Sequence, residues 1–276
     1  MKALTIALQR ETAVPVIALM IASIVSGGLV LARIAWTGQI RYGLLVWNLF
    51  LAWLPLIFAL LAREHYRKGT RRSTNLEKPT PGPSKEGSIV GRALARFPLP
   101  GAVRGGLRDR NWRFAGLAAA WLLFFPNAPY IFTDVVHLAN RYFAHFWVDL
   151  MLILLCALTG LVLGFVSLYL MQSVVSRMFG RVASWLFIAG VASLSSFGVY
   201  LGRFVRVNSW DIVTRPVKLY HGINEWASDP FAHATSFAFP ILFAAFLFIA
   251  YVMLYALTHL PQVNQLATPL EGRTEA

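Results

Sequence analysis

One cysteine, Cys156, excludes an intrachain disulfide, so cysteine usage says nothing about redox compartment. It lies among Leu154, Leu155 and Ala157, where a buried and inert thiol is expected. No Cys/His set has zinc-ligand spacing, and His145, His221 and His233 are scattered, so the expectation is no metal and no cofactor. A glycine-rich nucleotide loop, a GxSxG elbow and an internal repeat are all missing. Charge is scarce as well. Only 13 % of residues are charged against 57 % apolar, which excludes a soluble single domain. Acidic residues are the rarer sign, 12 against 25 basic, for a net charge of +13. In a membrane protein such an excess collects on the cytoplasmic side for topological reasons, so no nucleic-acid partner is implied.

What the chain has instead is six long apolar runs, at about residues 13–32, 44–62, 114–133, 147–171, 182–202 and 235–257. A hydrocarbon core needs roughly 20 apolar residues per helix. The fold class read from this is an all-α membrane protein, a bundle of six transmembrane helices, with the lipid bilayer as its first partner. The first run is longer than a signal-peptide core and is followed by no clear small-x-small cleavage site, so it reads as a retained helix.

The basic residues set the orientation. The connection 63–113 carries thirteen of them against Glu64, Glu77, Glu86 and Asp109. By the positive-inside rule this connection and both termini are expected in the cytoplasm of a bacterial inner membrane. The organisation is then helices one and two over 1–62, a basic cytoplasmic linker over 63–113, helices three to six over 114–260, and a tail over 261–276. Within the linker, 69–88 is polar and rich in Pro, Gly and Ser, the composition of a disordered segment. Residues 89–97 set Ile89, Val90, Ala93, Leu94 and Phe97 on one helical side, opposite Arg92 and Arg96. Either chance patterning or an interfacial helix follows, the latter placing anionic lipid head groups against 89–113.

The third run is interrupted by Pro126-Asn127-Ala128-Pro129-Tyr130. Two prolines remove two backbone donors, which a membrane tolerates only where protein or water re-satisfies the freed groups. The third helix is therefore expected to break at Pro126 and Pro129, with Asn127 as the N-cap of a new turn. On that turn Tyr130, Asp134 and His137 would share a polar stripe at the outer end.

More polar residues lie at the same end. The fifth run carries Tyr200; Arg203 and Arg206 follow at its outer C-terminal end, and Asn208, Trp210 and Asp211 come next. Asp149 opens the fourth run, where the helix dipole stabilises it, but an ionisable residue inside a bundle needs a partner. Arg203 is the natural candidate. Asn127, Tyr130, Asp134, His137, Asp149, Tyr200, Arg203, Arg206, Asn208, Trp210 and Asp211 thus form the candidate polar cluster. Gly160 and Gly164, and Gly198 and Gly202, are spaced four apart, which lets helices approach closely. Helices four and five are expected to pack through them.

Three blocks, WLLFFPNAPYIFTDVVHL from 121 to 138, WVDL from 147 to 150 and SSFGVYLGRFVRVNSWD from 195 to 211, together resemble a known group. It is the bacterial membrane-protein family of unknown function numbered 1361. The resemblance spans about residues 40–260 and implies the fold and a bacterial inner membrane, with no activity attached. The basic connection is longer than that family's usual one, which argues against catalysis in it.

Three functions fit these residues. The first is a non-catalytic sensing, scaffolding or assembly module whose polar cluster is a clasp among helices, with an unknown protein partner. The second is a membrane enzyme acting on a lipid-phosphate-type substrate, with Asp134 and His137 as base and acid and Arg203 and Arg206 holding the phosphate. The third is a small-solute transporter built on the interrupted helix. A filled, fully paired cluster favours the first and a deep cavity at the same place favours the others.

Overall fold

A computed structural model describes residues 2–38, 40–76, 104–138, 145–205, 217, 224 and 234–266; within these, the side chains of 2–12, 41, 69–76, 104–111, 137, 205, 234–236 and 259–266 are left undescribed. Every element among the described residues is helical. In chain order these are α1 (Lys2–Thr37), a 3-10 turn (Ile40–Tyr42), α2 (Gly43–Leu76), α3 (Arg104–Phe124) and α4 (Asn127–Tyr130). A second 3-10 turn (Ile131–Leu138) follows, then α5 (Phe146–Phe179), α6 (Arg181–Tyr200), a π-helical turn (Leu201–Val205) and α7 (Ala234–Leu266).

Six stretches are long and apolar enough to cross a bilayer: Ala13–Thr37, Gly43–Lys68, Trp112–Val136, Phe146–Phe179, Arg181–Phe204 and Phe237–Thr258. The chain is a multi-pass membrane protein. Bulky side chains such as Ile24, Leu158, Leu186, Leu194 and Ile241 stand exposed on the outside of the bundle, where lipid is the solvent. The α5 span is the centre, with 56 % of its most apolar window buried, against 17 % for the α1 and α7 spans. Helices α1, α2 and α6 pack directly on α5, as do α4 and the 3-10 turn after it, while α7 packs on α6.

The third span bends. The α3 helix ends at Phe124; its i→i−4 bonding runs as far as Phe125 N on Trp121 O at 2.9 Å and lapses at Pro126, which has no N–H to donate. Pro126 nonetheless keeps helical angles, φ −59° and ψ −22°, so the span bends without ending there. Pro129 leaves Phe125 O without its i+4 donor, and Ala128 N takes that carbonyl at 3.1 Å; Tyr130 N resumes the i→i−4 pattern on Pro126 O at 3.1 Å. Asn127 is not the N-cap that its position suggests. Its Nδ2 donates backward to Phe124 O at 3.0 Å, capping the carbonyl end of α3 instead.

This bend is wedged between α5 and α6, and the glycines explain how. A Cβ on Gly160 would lie 2.7 Å from Ile131 Cδ1 and 2.9 Å from Ala128 O, and one on Gly164 would lie 3.0 Å from Ala128 Cβ. From the other side, a Cβ on Gly198 would lie 2.9 Å from Pro126 Cγ. These three glycines therefore admit the third span. That corrects the expectation that they bring helices four and five onto each other; spacing shows that a helix face is flat but not which neighbour uses it. Gly202 falls in the π-helical turn after α6.

The helical part of α2 runs past its apolar span to Leu76, and α3 begins at Arg104, so residues 69–76 are helical. Residues 77–103, and with them the amphipathic stretch 89–97, lie outside the described residues.

Candidate functional site

Two buried arginine–aspartate pairs join helices that are far apart in sequence. The first is built on the bend. The 3-10 turn after α4 winds more tightly than an α-helix, and it leaves Asp134 facing inward with 4 % of its surface exposed. Arg203, on the π-helical turn after α6, puts Nη1 3.2 Å from Asp134 Oδ1 and Nη2 2.6 Å from Thr133 O. The guanidinium thus straddles one residue's side chain and the preceding carbonyl. Asn48 of α2 donates Nδ2 to the other carboxylate oxygen, Oδ2, at 2.9 Å. Arg203 also lies over the Tyr130 ring, 5.8 Å from its centroid. Three spans meet on one carboxylate.

The second pair joins the first and fourth spans. Arg33, in the last turns of α1, reaches Asp149 in the first turn of α5, with Nε 2.7 Å from Oδ1 and Nη2 3.3 Å from Oδ2. The two-point geometry is the strong, directional form of this contact. Both side chains are nearly sealed, 7 % and 4 % exposed. Tyr42 adds a hydrogen bond to the same carboxylate. Arg33 lies 5.6 Å from the Trp36 ring, which in turn meets His145 at a centroid distance of 5.5 Å. Among the described residues Arg33 Nη1 is buried without a hydrogen-bond partner. The N-terminal position of Asp149 on α5 adds the favourable helix dipole.

The structure therefore brings together Tyr130, Asp134 and Arg203. Asn127 stays on the bend with a backbone partner, and Tyr200 stacks on Phe204 at 5.0 Å. Asp149 does not join Arg203, its expected partner; Arg33 takes it, because α5 packs against α1 at this end while Arg203 is already engaged by Asp134 and Thr133. The side chain of His137, and Arg206, Asn208, Trp210 and Asp211 entirely, lie outside the described residues.

Three side-chain participants escaped sequence reasoning, Arg33, Asn48 and Tyr42. The first two carried a signal. Asn48 is an amide inside the second apolar run, and Arg33 has apolar residues on both sides, from Leu29 to Ala32 and again at Ile34 to Trp36. A polar side chain embedded in a span asks for a partner.

The arrangement binds protein to protein. Both oxygens of Asp134 and both oxygens of Asp149 accept hydrogen bonds from other spans. Among the described residues no three His, Cys, Asp or Glu side chains are grouped to hold a metal.

The family model described as "Protein of unknown function (DUF1361)" matches residues 101–257, more than half of the chain, and the protein belongs to that family. No curated protein and no solved structure matches it. The matched segment holds Asp134, Asp149 and Arg203, whereas Arg33 and Asn48 lie on the two spans before it and Tyr42 on the 3-10 turn between those spans.

Proposed function

We propose that this integral membrane protein is a non-catalytic module that senses, scaffolds or assembles with a partner, and that its polar end is a clasp holding the spans in one arrangement. The observation that carries this reading is the occupancy of the carboxylates. Asp134 and Asp149 each have both oxygens engaged by side chains from other spans. A general base needs a lone pair facing a substrate, and a transport site needs groups that can let go of one another. A buried carboxylate with a protein donor on each oxygen is poorly disposed to either task, and the pairing specifies which helices meet. The distribution of basic residues supports placing this end outside a bacterial inner membrane, with both termini and the 63–113 connection in the cytoplasm.

The test is whether Asp134 acts on stability or on chemistry. Asp134→Asn removes the charge facing Arg203 and keeps the shape. A clasp loses stability and folded yield in this variant, and the exchanged pair Asp134→Arg with Arg203→Asp recovers part of both. A catalytic carboxylate behaves oppositely, since its removal commonly leaves stability unchanged or raised. An unchanged or raised unfolding midpoint for Asp134→Asn in lipid nanodiscs overturns the clasp.

A further inference from the structure

At the opposite end of the α5–α6 pair, a cleft of about 190 Å³ opens beside the turn at Gly180, between α5, α6 and α7. Its lining is one-sided chemically. It contains hydrogen-bond donors, aromatic rings and a cation, and no acidic side chain.

Gln172 of α5 forms its floor. Only 5 % of this residue is exposed. Its Oε1 accepts a hydrogen bond from the Tyr251 hydroxyl of α7, which fixes the amide plane. Nε2, a double donor, has no acceptor among the described residues. The residue is buried but Nε2 is not sealed, so its donors are open to whatever occupies the cleft.

The rim adds positive charge. Arg181 lines the cleft, and its side chain, like that of Arg177 across the turn, makes no ion pair or hydrogen bond among the described residues. Arg181 is also the first residue of α6, where a helix dipole favours an anion and disfavours a cation. Gly180, with φ 89°, is the N-cap and offers no side-chain acceptor to the first-turn N–H groups. Topology accounts for basic residues somewhere at this end. It does not require an amide fixed on one side by Tyr251, with its donors open to the cleft, next to one of them. Ser173 and Ser184 spend their hydroxyl hydrogens on backbone carbonyls, whereas the Ser176 hydroxyl is uncommitted among the described residues. Trp185 and Tyr255, 5.1 Å apart and edge to face, supply an apolar wall.

We propose that this cleft binds a phosphate group, with Arg181 neutralising its charge and Gln172 Nε2 donating to one of its oxygens. Phosphate is acceptor-rich and anionic, as the lining demands, and the volume exceeds that of a few waters at roughly 30 Å³ each. The cleft lies where the spans Phe146–Phe179 and Arg181–Phe204 meet, at the membrane boundary. Phospholipid head groups are the phosphate source at hand there, and basic clefts between spans with tryptophan and tyrosine neighbours suit them. Soluble phosphate shares the chemistry.

The experiment titrates the purified full chain in detergent with dioctanoyl phosphatidylglycerol, inorganic phosphate, or dioctanoylglycerol as the phosphate-free control, reading the unfolding midpoint and, by native mass spectrometry, the bound mass. A saturable rise with phosphatidylglycerol alone assigns a lipid phosphate; a rise with both phosphate probes assigns the free anion; dioctanoylglycerol does nothing. Arg181→Glu, an exposed position that does not challenge folding, weakens binding by about tenfold or more, the scale of one lost charge-assisted contact. Gln172→Leu weakens it too, and Arg113→Glu, an equal charge change elsewhere, leaves it intact. The proposal is overturned if neither phosphate probe shifts the midpoint, if Arg181→Glu binds like wild type, or if Arg113→Glu loses as much as Arg181→Glu.

Discussion

Arg33 of α1 and Asp149 of α5 hold each other at 2.7 Å across 116 positions of sequence, both side chains almost wholly removed from solvent. Removing one member strands a buried charge, which costs about 3–5 kcal/mol in soluble proteins, whereas removing both leaves an apolar contact that is close to neutral. Arg33→Leu and Asp149→Leu are therefore each expected to lower the unfolding midpoint sharply, and the double variant to lie nearer wild type than either. Thermal unfolding in a single detergent measures all three. Two wild-type-like single variants would show that the pair does not hold the bundle.

Asn48 carries a smaller share. It donates one neutral-to-charged hydrogen bond to Asp134 while Arg203 holds the other oxygen. Asn48→Leu should cost about 1.5–3 kcal/mol, the range for a hydrogen bond to a charged group. Asp134→Leu should cost more, because it frees Arg203 and Asn48 together. An equal loss from the two would mean that Arg203 finds another partner without effort.

The glycines predict a contrast within the bundle. Gly160→Leu and Gly198→Leu force side chains into Ala128, Ile131 and Pro126, and overpacking of this kind costs about 1–3 kcal/mol. Gly190 on α6 has nothing within 4 Å of where its Cβ would stand. Gly190→Ala should be neutral or stabilising by up to about 1 kcal/mol, since alanine restricts the unfolded chain. The same unfolding assay ranks the three, and a loss at Gly190 equal to that at Gly160 would contradict the wedge.

Orientation has its own test. Cysteine-labelling of Ser84→Cys in intact cells, in a Cys156→Ala background, should fail with an impermeant reagent applied from outside and succeed once the membrane is opened. Labelling in intact cells would reverse the assignment of both termini and the 63–113 connection to the cytoplasm.

The six spans were legible because each is a run of apolar residues near bilayer length, and the six runs and the six spans overlap one for one. The bend was legible from Pro126 and Pro129, since a missing N–H acts wherever the chain goes. Membership of the polar cluster was legible for Asp134 and Arg203, which sit at the same end and lie 3.2 Å apart, but their pairing was not, since Arg203 is the expected partner of Asp149. The partner of Asp149 was not legible. Arg33 counts equally well as a charge at a helix end, and only the packing of α1 on α5 turns it inward. Gly160, Gly164 and Gly198 announce close approach without naming the neighbour, which proved to be the bent span. Spacing along one helix carries no information on which helix faces it.

The reading of the polar end as a closed clasp is tested most directly by a density map of the protein in lipid nanodiscs, resolved well enough to show side chains around Asp134. The clasp predicts Arg203 and Asn48 on the two carboxylate oxygens, Arg203 also on Thr133 O, and no further density in contact with them. Non-protein density bonded to Arg203 or Asp134 in place of Asn48 would contradict it and make this end a binding site.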